Sequence, residues 1–325
     1  MTFWNTPSKA QIERKRIYKT ANAVGGAFLM GFGLSYLLQF WVLGVVNNNE
    51  IISNSCTQWL LQIFLSTIIF TLPFIIFTVP MNVRVSTACP LGKGEKGTVL
   101  PIILVGLGVS MLGNILSSMF TGFLEKIGFV NDATPLPTDT AAGWHIPLLV
   151  VLGGAILPAL VEEFALRGIA LGALKKFGNG FAIILTAILF GIMHGNIEQI
   201  PFAFMLGLYL GFAVIRTGTM WTAVAIHLIN NGFAFLLDML SGNLSTLEIN
   251  TISYFYFMLT VVLTVVGILL GSRVKGCFSL PPEEKSELSF GEKLSTAVLT
   301  PCMILLGLYV AFQLVFAQLL SMVTA

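Results

Sequence analysis

The chain has 325 residues, 56% of them hydrophobic and only 10% charged, with a net charge of +2 and a mean hydropathy of +0.89. A water-facing globular domain carries roughly 25% charged residues, so this chain lacks the polar surface of a soluble protein and belongs in a bilayer. The near-neutral balance gives no basis for a nucleic-acid partner, and the four cysteines (Cys56, Cys89, Cys277, Cys302) are too scattered to suggest a disulfide framework or a CxxC site.

Nine apolar segments follow one another: about Ala21–Val46, Trp59–Pro80, Val99–Leu124, Ile146–Leu166, Phe181–Met193, Pro201–Ile215, Met220–Leu240, Ile252–Gly271 and Leu294–Val323. Spanning a bilayer takes ~20 residues of helix. Lipid offers no partner to backbone N–H and C=O groups, so the expected fold is an all-α polytopic bundle of about nine spans, with eight as the fallback. The fifth and sixth segments are short and meet at the polar stretch Gly195–Ile200. The first apolar run is longer than a signal-peptide core and lacks a clear cleavage site. The basic tail 1–20 precedes an N-terminal group of helices over 21–144. A motif-bearing core follows over 145–240, then accessory C-terminal helices over 241–325. The stretch Arg273–Lys293, with Pro281, Pro282, Glu283 and Glu284, reads as a linker before the last helix.

The basic residues test this segmentation. Fifteen of the 17 lysines and arginines fall in the N-terminal tail and in the second, fourth, sixth and eighth loops, leaving only Lys126 opposite and Arg167 within a helix. By the positive-inside rule the N-terminus is expected in the cytoplasm and the C-terminus outside.

Within Leu148–Leu166 stand two adjacent acids, Glu162 and Glu163. An acid in hydrocarbon costs several kcal/mol and marks function by default. Glu163 and Arg167 are four apart, the spacing that brings helical side chains onto one face for an ion pair, while Glu162 points about 100° away and is left for chemistry. Pro158 is expected to bend this helix and deprive the Gly154 carbonyl of its donor. Phe190 and His194 form a second i,i+4 pair, in which the ring can fix the imidazole. His227 and Asn231 form a third, with Asn230 beside them. The plainer readings are interfacial histidine, interhelical glue and structural acids. His145, beside Trp144, reads as an interface anchor. Counting 1.5 Å per residue from the basic end places Glu162, His194 and Asn231 roughly 18–24 Å deep and His227 nearer 12 Å. Gly191, Gly195, Gly207 and Gly211 would let the helices approach closely.

The three pieces in order, Glu162-Glu163-x-x-x-Arg167, Phe190-x-x-x-His194 and His227-x-x-x-Asn231, resemble the CPBP intramembrane proteases, the family of type II CAAX-prenyl endopeptidases and bacteriocin-processing or immunity proteins. The resemblance covers about residues 145–240, and no motif position is broken. It implies a membrane-embedded endopeptidase, traditionally classed as a metalloprotease, in a multi-pass cell-membrane protein. Its partners would be membrane lipid and a membrane-associated peptide or protein. Glu162, with His194, would activate water. His227 and Asn231 would stabilise the oxyanion, and Glu163, Arg167 and Phe190 would support the site. Two chemistries stay open: a metal-independent glutamate mechanism, or zinc or another divalent metal held by Glu162, His194 and His227. The substrate class is equally open between a CAAX-type protein, a bacteriocin or pheromone precursor and an unprenylated membrane peptide. The competing functions are a non-catalytic immunity or scaffold protein on the same fold and, with no inverted repeat in sight, a transporter.

Overall fold

A computed structural model describes residues 7–45, 54–129, 145–283 and 285–324. Val46, the loop Asn131–Gly143, Trp144 and Glu284 lie outside the described residues. The helices of nine residues or more are α1 (Lys9–Val45), α2 (Ser55–Met81), α3 (Val99–Lys126), α4 (His145–Phe177, broken into α, π and 3-10 turns), α5 (Asn179–Ile192), α6 (Ile200–Thr217), α7 (Trp221–Ser241), α8 (Thr246–Ser272), α9 (Phe290–Val298) and α10 (Pro301–Thr324). No strand is present among the described residues.

The chain is a polytopic helical bundle. Among the described residues seven helices, α1 to α4 and α6 to α8, are long and apolar enough to cross a bilayer, and α9 with α10, bent by 72°, makes an eighth candidate. Their outward faces are apolar, as lipid requires: Tyr254, Phe255, Met258 and Val262 line the exposed side of α8. The expected fifth span is the exception to the count of nine. Helix α5 has 14 residues, a rise of about 21 Å against the ~30 Å of a hydrocarbon core. Its surroundings explain its length. Phe181, Ala182, Leu185, Thr186, Ala187, Leu189 and Phe190 are all nearly inaccessible, so protein rather than lipid surrounds α5. Irregular backbone is tolerated at membrane depth where protein covers it. The turn after α5 meets that condition: the Ser117 hydroxyl of α3 donates to the Glu198 carbonyl (2.7 Å), and the Asn196 side chain accepts from the Glu198 N–H (2.9 Å).

Glycine sets the packing of α5 on α6. A Cβ at Gly207 would lie 3.1 Å from the Ala187 Cα, and one at Gly191 would lie 3.3 Å from the Ile200 carbonyl oxygen. Gly195, expected to pack in the same way, instead takes a left-handed turn (φ 61°) that reverses the chain after α5.

The loops rich in basic residues are stitched together at one end of the bundle. Arg14 pairs with Glu292 (3.0 Å), Lys293 donates to the Phe177 carbonyl (2.6 Å), and Lys176 to that of Met81 (3.4 Å). Arg216 donates to the Gly276 carbonyl (2.7 Å) and pairs with Glu95, whose carboxyl is held below the usual range by that hydrogen bond. The segment Arg273–Lys293, read as a linker, is therefore part of this layer, reinforced where Asn179 donates to the Pro281 carbonyl (3.2 Å). The four cysteines are free.

Candidate active site

Helix α4 carries both acids in unusual backbone. A π-helical turn covers Val151–Ile156, and the Leu157 N–H bonds the Leu152 carbonyl five residues back. Pro158 lies just beyond it, so a wider turn rather than a sharp kink absorbs the missing donor. After an α-helical stretch, Leu157–Glu163, a second π-helical segment runs from Phe164 to Ala170 and contains Arg167. Single π turns inside helices frequently mark functional positions. Here they bracket the two acids.

Glu163 and Arg167 are fully buried and joined at 2.9 Å. Arg167 also donates to the Gly207 carbonyl (3.3 Å) and lies over the Phe190 ring, 4.3 Å from its centroid. A buried charge without compensation is strongly destabilising, and these contacts from α4, α5 and α6 supply most of that compensation, leaving Arg167 Nε and Glu163 Oε2 buried without a hydrogen bond.

The same oxygen of Glu163 that meets Arg167 lies 2.9 Å from Nδ1 of His227 on α7. A carboxylate only accepts, so Nδ1 carries a proton and Nε2 is the ring nitrogen turned away from Glu163. Nε2 lies 4.0 Å from Oε2 of Glu162, too far for a direct hydrogen bond and short enough for one water to touch both. That Glu162 oxygen is buried with no protein partner, while the side chain as a whole is 14% exposed. The depth difference expected between the acids and His227 is thus closed by direct contact.

His194 lies just past the end of α5. Its Nδ1 donates to the Phe190 carbonyl (2.7 Å), which leaves Nε2 outside that bond. Phe190 packs edge-on against both imidazoles, with centroids 5.1 Å from His194 and 5.7 Å from His227. One ring therefore touches Arg167, His194 and His227. Asn231 lies one turn along α7 from His227, and its Oδ1 accepts from the Asn230 side chain (3.2 Å). Asn230 in turn accepts from Asn114 of α3 (3.2 Å). The structure thus brings Glu162, Glu163, Arg167, Phe190 and His227 into one cluster, attaches His194 through Phe190, and ties Asn231 to α3.

Three contributions were missed in the sequence. Glu163 holds His227 as well as Arg167, the Gly207 carbonyl serves Arg167, and Asn114 joins the asparagines. Asn114 did carry a signal, as the single carboxamide in the apolar run Val99–Leu124. The Gly207 carbonyl carried none.

Among the described residues no group of three or more His, Cys, Asp or Glu side chains is arranged to hold an ion. Ligand atoms of a tetrahedral zinc with bonds near 2.1 Å lie about 3.4 Å apart, closer than Glu162 and His227. The side chains as placed do not form the His₂Glu set.

Residues 144–233 match the family model described as "Type II CAAX prenyl endopeptidase Rce1-like". Over 207 residues the chain is 23% identical to "Putative membrane peptidase YdiL" of Bacillus subtilis, covering 62% of this chain and 80% of that protein. Over 156 residues it is 25% identical to "Membrane-embedded CAAX protease MroQ" of Staphylococcus aureus, covering 46% of this chain and 62% of that one. No solved structure matches. The matched segment holds all three motifs and the clustered side chains, and over it the chain is similar to the Rce1-like, type II CAAX prenyl endopeptidases; the chain is a multi-pass membrane endopeptidase.

Proposed function

We propose that Glu162 is the general base that activates water for attack on a peptide bond within the membrane. The observation that carries this reading is its placement. Glu162 offers an unpartnered, buried carboxylate oxygen 4.0 Å from Nε2 of His227, whereas Glu163 commits Oε1 to Arg167 and His227, its unpartnered Oε2 belonging to a side chain already held in place. Glu162 accepts the proton of the attacking water, and His194, presenting Nε2, helps to orient that water. His227 and Asn231 face the developing oxyanion. Asn231 donates through its amide, and His227 donates through Nε2 as an imidazolium already protonated when the water attacks, a charge that Glu163 stabilises as the aspartate of a hydrolase triad does. The proton on Glu162 then passes to the leaving amine.

The substrate class that fits is a membrane-associated peptide or protein, in keeping with relatives named a membrane peptidase and a membrane-embedded CAAX protease. The end of the bundle rich in basic residues faces the cytoplasm by the positive-inside rule, so the N-terminus is cytoplasmic and substrates arrive from that leaflet. This chemistry runs on the protein's own side chains.

The purified protein, reconstituted in nanodiscs, should be given quenched fluorogenic peptides: farnesylated ones ending in a CAAX sequence, and unmodified membrane-anchored ones. Mass spectrometry should show internal cleavage of at least one, undiminished by EDTA. If all peptides remain intact, the protease reading fails. If EDTA abolishes cleavage and zinc restores it, the metal-independent mechanism fails.

A further inference from the structure

Three carboxamides form a directional chain from the bundle wall towards the site. The Asn114 amide on α3 donates to Asn230 Oδ1, and the Asn230 amide donates to Asn231 Oδ1, each at 3.2 Å. Asn230 is buried, and neighbouring parts of α3 pack tightly against α6 and α7: a Cβ at Gly106 would clash with Ile226 and Tyr209. Asn114 lies outside the segment that carries the family match.

A carboxamide has one accepting and one donating end. A free asparagine beside an oxyanion can present either, and presenting the oxygen would repel the developing charge. Asn231 has its oxygen occupied by Asn230, so its two N–H donors are left for other partners. Asn230 could equally turn its oxygen towards Asn231 and capture those donors. In the arrangement shown, Asn114 opposes that by donating its amide to the Asn230 oxygen and so drawing that oxygen towards α3. The polarity of the chain runs from Asn114 through Asn230 to Asn231.

We propose that Asn114 and Asn230 are positioning residues that hold Asn231 with its amide donors free for the transition state. The proposal rests on the reading of Asn231 as an oxyanion donor. It predicts a signature that ordinary packing would not give. Asn114→Asp replaces a donor by an acceptor of the same shape, which favours the reversed chain and withdraws the Asn231 donors. Asn114→Ala merely leaves the polarity unset. The aspartate should therefore be the worse substitution, although it is the more conservative in volume.

The test uses full-length protein in nanodiscs and the peptide that the wild type cleaves best. Asn114→Ala should lower kcat about five- to tenfold, the worth of one hydrogen bond. Asn114→Asp and Asn230→Asp should lower it by about 10²-fold, approaching the loss of an oxyanion donor. KM should stay close to wild type in all three, and the melting temperature in Asn114→Ala, whereas a carboxylate at buried Asn230 lowers it. A substrate-independent arm follows the Asn231 side-chain amide by NMR in protein labelled with ¹⁵N-asparagine, the signal being assigned by its disappearance in Asn231→Asp. It should shift in Asn114→Ala. An unmoved Asn231 signal overturns the proposal, whether or not a cleaved peptide is found. So do equal kcat values for Asn114→Ala and Asn114→Asp, or losses confined to KM. If no peptide is cleaved while the NMR shift is seen, the protease reading fails and the positioning geometry stands.

Discussion

Glu163 is the residue on which most of the site depends. Through one oxygen it holds Arg167 and His227, each at 2.9 Å. Removing one member of a buried ion pair leaves an unpaired charge and costs about 3–5 kcal/mol. Glu163→Ala and Arg167→Ala should each lower stability by that order, and the double variant should lose much less than the sum, as chemical denaturation in detergent would show. Additive losses would mean that the pair does not form. Activity should separate them: Glu163→Ala also frees the His227 ring and should be the more damaging of the two. The i,i+4 spacing was enough to anticipate the Glu163–Arg167 pair from the sequence. The contact to His227 was not legible, because it joins residues 64 positions apart, and no helical periodicity reports which faces of two helices meet. Phe190 was expected to brace His194; its contact with Arg167 and His227 depends on the same unreadable packing.

At the scale of elements, α4 and the α5–α6 pair place the chemistry. Pro158 announced an irregularity in α4, and the structure resolves it as a π turn, which sequence does not distinguish from a kink. The apolar run of α5 was legible; its shortness as a span follows from burial by its neighbours, which only the fold reveals. Gly207 is the contact that matters most here, since its carbonyl accepts from Arg167 and its missing side chain admits Ala187 and Phe190. Gly207→Val should overpack this seam, costing about 1–3 kcal/mol, and should lower both melting temperature and turnover. Gly211→Ala meets Ile183 only at 3.4 Å and should be tolerated within about 0.5 kcal/mol. Equal melting temperatures for the two variants would show that α5 and α6 are not held at this separation.

For the whole molecule, the charge asymmetry in the sequence foreshadowed the layer of loops at one end, because each pass of the chain alternates ends whether or not its helix is long enough to span alone. Accessibility labelling checks the orientation. In a cysteine-free background, single cysteines introduced into Asn131–Gly143 and into Arg273–Lys293 should react from opposite sides of the membrane; labelling from one side would contradict the bundle's alternation. Native Cys89, beside Gly168 in this layer, has its thiol pushed up to about 11 by burial and should resist maleimide until the protein unfolds.

The claim that the rest depends on is that Glu162 performs the chemistry within an otherwise intact site. It is tested most directly by comparing wild type and Glu162→Gln at equal concentration in nanodiscs, on the peptide the wild type cleaves best. The substitution keeps the shape of the side chain and removes its basicity. The account predicts that Glu162→Gln melts within a few degrees of wild type and that cleavage falls by at least about 10²-fold, the lower end of what a general base contributes. A folded Glu162→Gln protein that cleaves at the wild-type rate would contradict it.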